Sequence, residues 1–245
     1  FLQVLRKNPD VVKDKLFAGM AVGAKRNGGQ ETCLIYQLID FINMDMLGVG
    51  NDSETTAQYG GTGHAGDVGT GAKDEYGIAT SIGTGNRIAQ VIKIKEYSNK
   101  YKLKDKPKIG IIIVQDVEER VKLFVEKYFL NSKLADMADF RFFYFAKESV
   151  RRCIACDLCP KTLGDDEVYR CIIRNKEDLF VKYHKEIIEL DAILLGGYSP
   201  ETYDNINSIY QAFMERTRYI RRSDYIFSNC LVAPLVFQEI GSRES

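Results

Sequence analysis

The sequence predicts an α/β fold built on an open, doubly wound parallel sheet. Short apolar runs, each bounded by glycine or polar residues, have the length and composition of buried parallel strands. Segments with helical patterns lie between them, and this alternation is typical of a parallel sheet covered by helices. The chain has 245 residues, of which 45% are hydrophobic, so it can bury a sizeable core.

Six runs are predicted as strands and five segments as helices. In chain order, the strands are residues 17–23, 46–50, 109–114, 140–145, 192–197 and 230–237. The helices are residues 31–43, 74–94, 117–131, 176–190 and 201–219. Phe1 lies in a further helical pattern, so we expect the native start to be upstream. Ligands of such sheets bind beyond the carboxyl ends of the strands, which makes the loops there the candidate sites.

Composition and charge restrict the class of partner. Lys and Arg number 34, as do Asp and Glu, which gives a formal net charge of zero and no indication of a nucleic-acid or acidic-membrane partner. No apolar run reaches the length of a membrane span, and no signal peptide is recognisable. Clustered cysteines without a disulfide framework fit a reducing compartment, so we expect a cytoplasmic protein.

A cluster of cysteines is the strongest chemical motif. Cys153, Cys156 and Cys159 follow one another at a spacing of three residues, and Cys171 comes next in the chain. A short loop can turn thiolates at this spacing toward one centre, as in cubane iron–sulfur clusters. Zinc sites more often use two separated Cys-x2-Cys pairs, and the second pair is missing here. The motif therefore favours an iron–sulfur cluster, with zinc or no metal as alternatives.

The ends of the chain repeat each other. Residues 1–6 resemble residues 213–218, and residues 25–32 are echoed by residues 238–245, each pair at nearly the same offset. A predicted strand immediately precedes each copy of the second pair. The two ends of the chain therefore correspond to similar positions in a repeating unit.

The loop at residues 25–32 lies between a predicted strand and a predicted helix. Gly28 and Gly29 allow a ligand to approach the backbone, and Glu31 suits the first helical turn. Exposed amides at a helix start, with Lys25 and Arg26 beside them, would suit a polar or anionic ring edge. A glycine turn with a helix cap is the alternative.

Two further segments contain residues that could border a ligand. Residues 51–73 are rich in glycine and are predicted as a long functional loop that includes His64. The chain's other histidine, His184, belongs to neither segment and is predicted to be exposed on a helix. Residues 191–200 are predicted as a strand that ends in a sharp turn, where Tyr198 could stack on a flat ring.

Together these pieces resemble the flavodoxin-like NAD(P)H-dependent FMN reductases, including the iron–sulfur flavoproteins. Residues 25–32 resemble the family's loop after strand four, and residues 191–200 resemble the loop after strand three; both border the flavin. Residues 59–67, followed by residues 74–77, resemble the loop after strand five in the quinone-reducing members. Residues 153–159 fall where the iron–sulfur members carry their cysteine motif, between strands two and three.

The order of these pieces is unusual for that family. Residues 1–97 resemble the second half of a flavodoxin-like domain, and residues 107–245 resemble the first part of another, with residues 98–106 as a linker. The resemblance therefore implies either a tandem pair of partial domains or one circularly permuted sheet. The phosphate loop of the first domain would precede Phe1.

One loop departs from the family pattern. The family carries hydroxyl-bearing residues after strand one, where hydroxyls and amides hold the FMN phosphate. Here residues 115–120 contain Asp116, Glu118 and Glu119 and no hydroxyl, so they would repel a phosphate dianion, with Arg120 as the only compensating charge.

The resemblance implies an NAD(P)H-dependent flavin oxidoreductase or electron-transfer flavoprotein, with a quinone-like molecule or another redox protein as acceptor and a homo-oligomeric state. Its alternatives are a degenerate flavodoxin-fold module without flavin and electron transfer by a cluster alone. The implied cluster ligands are Cys153, Cys156, Cys159 and Cys171. The implied FMN contacts are Lys25, Arg26, Asn27, Gly28, Gly29, Gln30, Glu31, Tyr59, Gly60, His64, Gly197, Tyr198 and Ser199.

Overall fold

Two compact units make up the chain, residues 1–102 and residues 103–245. The computed structural model describes residues 2–50, 59–101, 105–147, 150–159, 171–199, 208–221 and 226–238. Within this part of the chain every strand pair is parallel, and helices separate most of the strands in sequence. The chain is therefore an α/β protein with parallel sheets, as the sequence predicts.

The described part of the first unit contains two short pairs of parallel strands and three α-helices. Strand β1 pairs with β3, and β2 pairs with β4. The strands are β1 (Leu16–Phe17), β2 (Met20–Gly23), β3 (Leu47–Gly48) and β4 (Gly61–His64). The helices are α1 (Leu2–Lys7), α2 (Gln30–Ile42) and α3 (Glu75–Lys100).

The two strand pairs of the first unit form one interrupted ladder. The carbonyls of Phe17 and Gly19, two residues apart, accept hydrogen bonds from the N–H groups of Val49 and Gly61. The offset between partner numbers is 31 in the first pair and 41 in the second. About ten residues therefore leave the ladder between β3 and β4, and residues 51–58 of this segment lie outside the described residues.

The prediction of a structureless loop over residues 51–73 is wrong for Gly61–His64, which forms β4. The sequence Gly-Thr-Gly-His has low strand propensity, so its strand state comes from pairing with β2. Both glycines are needed for this close packing. A Cβ on Gly61 would lie 2.6 Å from Ser81 Oγ, and one on Gly63 would lie 2.9 Å from Val22 Cγ2.

In the described residues of the second unit, four strands form a parallel sheet with the order β6-β5-β7-β8. In the unit's own numbering this order is 2-1-3-4, which is consistent with a flavodoxin-like fold. The strands are β5 (Lys108–Gln115), β6 (Asp139–Tyr144), β7 (Ala192–Ser199) and β8 (Leu231–Gln238). The helices are α4 (Arg120–Val125), which continues as a π-helical turn over Glu126–Leu130, α5 (Leu179–Ile188), α6 (Ser208–Arg216) and α7 (Arg218–Arg221).

The core of the second unit lies on both faces of β5. Ile112 belongs to a cluster that also contains Leu179 of α5, whereas Ile111 and Ile113 belong to a second cluster with Val121 of α4. Successive residues of a strand point to opposite faces, so β5 is buried on both sides, as a central parallel strand requires. A doubly wound or permuted arrangement that includes both units stays a prediction.

The prediction that His184 is exposed is wrong. His184 is 8% exposed, and its Nδ1 lies 2.9 Å from the hydroxyl oxygen of Tyr219. Helical spacing explains the error, because His184 lies on the same face of α5 as Phe180 and Ile187, four residues before it and three residues after it. None of the helices in the described ranges is long and apolar enough to span a membrane.

Candidate functional site

The four cysteines predicted as cluster ligands line one pocket of the second unit. Cys153, Cys156 and Cys159 come from the segment after β6, and Cys171 comes from the segment before α5. All four are partly buried free thiols. The remaining lining residues are Ile154, Ala155, Asp157, Leu158, Ile172, Ile173 and Arg218.

The backbone of the cysteine loop turns twice within seven residues. Ala155 and Asp157 have φ values of 51° and 58°, in the left-handed region, which is uncommon for residues other than glycine. The N–H of Ala155 donates to the Sγ of Cys153 over 3.4 Å. These turns fold the loop back on itself, so thiols at Cys-x2-Cys spacing lie around the same pocket.

Four cysteine thiols are a suitable set of ligands for a metal cluster, but their side chains are not arranged around a common metal position. Within the described residues, no three His, Cys, Asp or Glu side chains are placed to hold a metal ion. Four thiols without an imidazole match an iron–sulfur cluster and also a zinc site with four cysteine ligands. The cysteines therefore share a pocket, and their role as ligands stays a prediction.

The pKa of the Cys159 thiol lies above its usual value, although its surroundings act on it in both directions. Burial raises the pKa of Cys159, as does the negative charge that Cys153 would carry, whereas the positive charge of Arg218 lowers it. Cys230 does not line this pocket in the part of the chain that the structure describes. Burial, followed by the charge of Asp191, raises the pKa of Cys230 to about 11.

A buried ion pair holds the start of the cysteine loop. Arg216 Nη2 donates to Asp178 Oδ1 over 2.9 Å, and the two side chains are 1% and 0% exposed. The Arg151 N–H donates to Asp178 Oδ2 over 2.8 Å, and the Arg151 carbonyl accepts from Arg216 Nη1 over 3.1 Å. Both backbone groups of Arg151, two residues before Cys153, are therefore fixed by this pair.

Two neighbours of Arg216 bind the same loop. Glu215 accepts hydrogen bonds from Arg152 Nη2 over 2.6 Å and from Arg152 Nε over 3.1 Å. Arg218 Nη2 lies 3.7 Å from Asp157 Oδ1. The end of α6 and the start of α7 thus contact the cysteine loop at three places. Sequence reasoning missed all of these residues, although Asp178 before a helix is a recognisable N-cap signal.

The glycine loop of the first unit is organised by Gln30. This side chain is 3% exposed, and its Nε2 donates to the carbonyls of Lys25 and Gly63 over 2.9 and 2.8 Å. Its Oε1 accepts from the Gly28 N–H over 2.7 Å. Gly29 has a φ of 109° and precedes the first residue of α2. Gln30 therefore fixes the loop from inside, and the exposed residues Lys25, Asn27, Gly28 and Gly29 form its outer surface.

Arg26 and Asp74 join this loop to β4. Arg26 Nη1 donates to the Thr62 carbonyl over 3.0 Å, and its Nη2 donates to Asp74 Oδ1. Asp74 also accepts from the N–H groups of His64 and Gly77, over 2.6 and 3.1 Å. Burial raises the pKa of Asp74. The two backbone hydrogen bonds and Arg26 together lower it by more, so the pKa lies below its usual value of 3.8.

The other predicted flavin contacts lie in varied surroundings. In the first unit, Tyr59 is exposed, Glu31 and His64 are partly buried, and Gly60 is buried with a φ of 131°. A Cβ on Gly60 would lie 2.2 Å from the Gly19 carbonyl oxygen, so this position requires glycine.

The predicted contacts in the second unit lie in a strand. The strand predicted to end at residue 197 is two residues longer, because β7 continues through Tyr198 and Ser199 and pairs with β8 there. Residue 200, the end of the segment predicted to turn, lies outside the described residues. Tyr198 is buried, and its hydroxyl accepts from Arg120 Nη1 over 3.2 Å. Gly197 pairs with Gln115 of β5. A role of these three residues in flavin binding stays a prediction.

The loop after β5 does not fit an FMN phosphate. Asp116 Oδ1 accepts from the Val121 N–H over 2.9 Å, and its Oδ2 accepts from the Lys122 N–H over 3.0 Å. The Tyr144 hydroxyl also donates to Oδ2, over 3.0 Å. The carboxylate of the chain itself thus occupies the donors at the start of α4 that a phosphate would use. The neighbouring Glu119 adds a further negative charge.

Comparison with known proteins gives one partial similarity. Over 83 residues the chain is 39% identical to an iron–sulfur flavoprotein of Methanocaldococcus jannaschii. The matched segment is 34% of this chain and 42% of the relative, so the chain spans less than half the length of that protein. No protein-family model and no solved structure matches the chain. The similarity gives loose support to the resemblance seen in the sequence.

Proposed function

We propose that this chain is part of a redox protein that uses a flavin and an iron–sulfur cluster. The observation that carries the proposal is the shared pocket of Cys153, Cys156, Cys159 and Cys171, which joins a compact motif to a more distant cysteine in the chain. The partial similarity to a protein named as an iron–sulfur flavoprotein supports the same conclusion.

In this proposal the four thiols hold the cluster in the second unit. When bound, such a cluster supplies one-electron transfer. The protein's own part is to keep the thiols near one another, which the left-handed turns at Ala155 and Asp157 and the ion pair of Asp178 with Arg216 favour. Ligation also requires the thiols to lose their protons. At Cys159 the positive charge of Arg218 favours this loss, whereas burial opposes it.

The flavin belongs to the first unit in this proposal. The exposed backbone of Asn27, Gly28 and Gly29 would lie along the ring, with Gln30 holding that backbone in place. FMN as the flavin, NAD(P)H as the hydride donor and a quinone-like molecule or redox protein as the acceptor follow from the family resemblance. The flavin itself carries the hydride chemistry, and the protein orients its ring.

A module without flavin is the second candidate, and one observation favours it for the second unit. Asp116 occupies the backbone donors at the start of α4, so the usual phosphate position of a flavodoxin-like domain is filled. If the first unit also binds no flavin, the chain is a flavodoxin-like module without flavin.

Visible absorption of the native-length protein tests the proposal. The protein is purified without oxygen and incubated with ferrous iron, sulfide and FMN, and unbound reagents are removed. We expect two resolved flavin bands on a broad brown shoulder. Gln30→Leu should lose the flavin bands and keep the shoulder, because it leaves the Gly28 N–H and two carbonyls without their partner. A colourless protein would contradict the proposal and favour the structural module.

A further inference from the structure

Arg218 stands out among the residues around the cysteines. In the part of the chain that the structure describes, it carries the only positive charge among the residues that line the pocket. The single negative side chain there is Asp157, and the two ionic groups are 3.7 Å apart. The Arg218 side chain is 38% exposed, so its charge is partly shielded from water.

The position of Arg218 is fixed by its neighbours in the chain. Two and three residues before it, Arg216 and Glu215 bind Arg151 and Arg152, which directly precede Cys153. The Arg216 ion pair is almost fully buried, so it cannot move without a large cost in stability. The backbone of Arg218 is therefore held beside the cysteine loop, unlike that of an arginine on a mobile surface.

A cation at this place has a clear electrostatic consequence. Four thiolates would bring four negative charges into one partly buried pocket, where they repel each other more strongly than in water. A nearby guanidinium, which keeps its charge at every ordinary pH, reduces that repulsion.

We propose that Arg218 is the charge-compensating residue of the cysteine pocket and has two effects. First, its positive charge draws anions to the thiols. Second, it raises the reduction potential of a cluster bound in the pocket. The first part depends only on the described geometry, and the second rests on the proposed function. Net charge and solvent exposure are among the factors that set the potential of protein-bound clusters. Arg218 acts through the field of the pocket and is not itself a ligand.

Thiol alkylation tests the first part in the metal-free full-length chain. The ratio of the rates with iodoacetate and iodoacetamide at Cys153 and Cys156, read by peptide mass spectrometry, reports the local potential independently of the thiolate fraction. We expect Arg218→Gln to lower this ratio several-fold, and Arg218→Lys to keep it near the wild-type value. Arg141→Gln removes the same charge outside the pocket lining and should leave the ratio unchanged.

An opposite charge change provides a second arm that does not depend on how Arg218→Gln folds. Asp157 is 77% exposed, so Asp157→Asn should fold normally and raise the ratio. Equal ratios in wild type, Arg218→Gln and Asp157→Asn would overturn the inference.

Redox titration tests the second part in protein reconstituted with iron and sulfide. With equal iron content, Arg218→Gln should have a more negative midpoint potential than wild type, and Arg218→Lys should restore most of the difference. An unchanged potential in fully loaded Arg218→Gln would refute this part alone. If wild type takes up no iron, the proposed function fails, whereas the alkylation ratios still decide whether Arg218 sets the charge of the pocket.

Discussion

Asp178 and Arg216 form an ion pair in which both side chains are almost completely removed from solvent. Asp178 also caps α5, since its Oδ1 accepts from the Phe180 N–H over 3.1 Å. The Arg216 guanidinium lies 5.3 Å from the ring centre of Phe180, measured from its Cζ. One pair of charges thus joins the start of α5, the end of α6 and the backbone before the cysteines.

Breaking this pair should destabilise the second unit strongly. Arg216→Met leaves Asp178 as a buried charge without its cation, so we expect a loss of about 3–5 kcal/mol in the free energy of unfolding. The double variant Arg216→Met/Asp178→Leu should lose much less free energy of unfolding than the two single variants lose when their losses are added. Urea unfolding followed by circular dichroism measures these values. Additive effects would contradict the assigned coupling.

The carboxylate of Asp74 should make the first unit sensitive to acid. Its pKa is lowered in the folded chain, so its stabilising effect is present above the usual value of 3.8 and is lost as the pH falls through the folded value. We expect wild type to melt higher than Asp74→Asn at pH 5–8, with a difference that shrinks below about pH 4. Thermal melting across this range measures the difference. A gap that stayed constant down to about pH 2 would argue against this role.

Two glycines of α3 should respond oppositely to alanine. A Cβ on Gly77 would lie 2.2 Å from Asp74 Oδ2 and 2.9 Å from the Gly63 Cα, so Gly77→Ala should destabilise by about 1–3 kcal/mol. A Cβ on Gly85 would meet no other atom within 4 Å apart from the helix's own backbone, so Gly85→Ala should stabilise the helix by roughly 0.5–1 kcal/mol. Denaturant unfolding compares the two variants. Equal changes would show that the close packing of Gly77 against β4 is incorrect.

Asp116 should act as a structural cap. Asp116→Ala removes the acceptor for two N–H groups at the start of α4, which predicts a loss of about 1–2 kcal/mol. Glu118→Gln, at an exposed neighbour, should change stability by less than about 0.5 kcal/mol. Burial and the hydrogen bond to Asp116 raise the pKa of Tyr144, so Asp116→Ala should also lower it. Alkaline titration of tyrosinate absorbance detects that shift, and an unchanged titration would count against the contact.

The longer strands and helices could be predicted because their apolar patterns are strong. The run that becomes β5 is apolar on both faces and is found within one residue at each end. In contrast, the sequence of Gly61–His64 has no strand pattern. It becomes a strand because it pairs with β2. His184 was misjudged because a polar residue on a buried helical face is recognisable only when its partner, Tyr219, is known.

The candidate site was only partly predictable for the same reason. The cysteine motif is local, so its spacing reveals it, and residues 25–32 are recognisable by their glycines. The polar contacts around these loops join residues far apart in sequence. Arg216 and Asp178 are 38 positions apart, and Arg26 and Asp74 are 48 apart. No local pattern carries such pairs, because tertiary packing selects them.

Iron content after anaerobic reconstitution tests the central claim most directly, with Cys171→Ser as the decisive variant and the exposed Cys33→Ser as its matched control. Wild type and Cys33→Ser should bind equal amounts of iron and sulfide, whereas Cys171→Ser and Cys156→Ser should lose most of both. A wild-type chain without iron, or a Cys171→Ser variant that binds as much as wild type, would contradict a cluster held by these four cysteines.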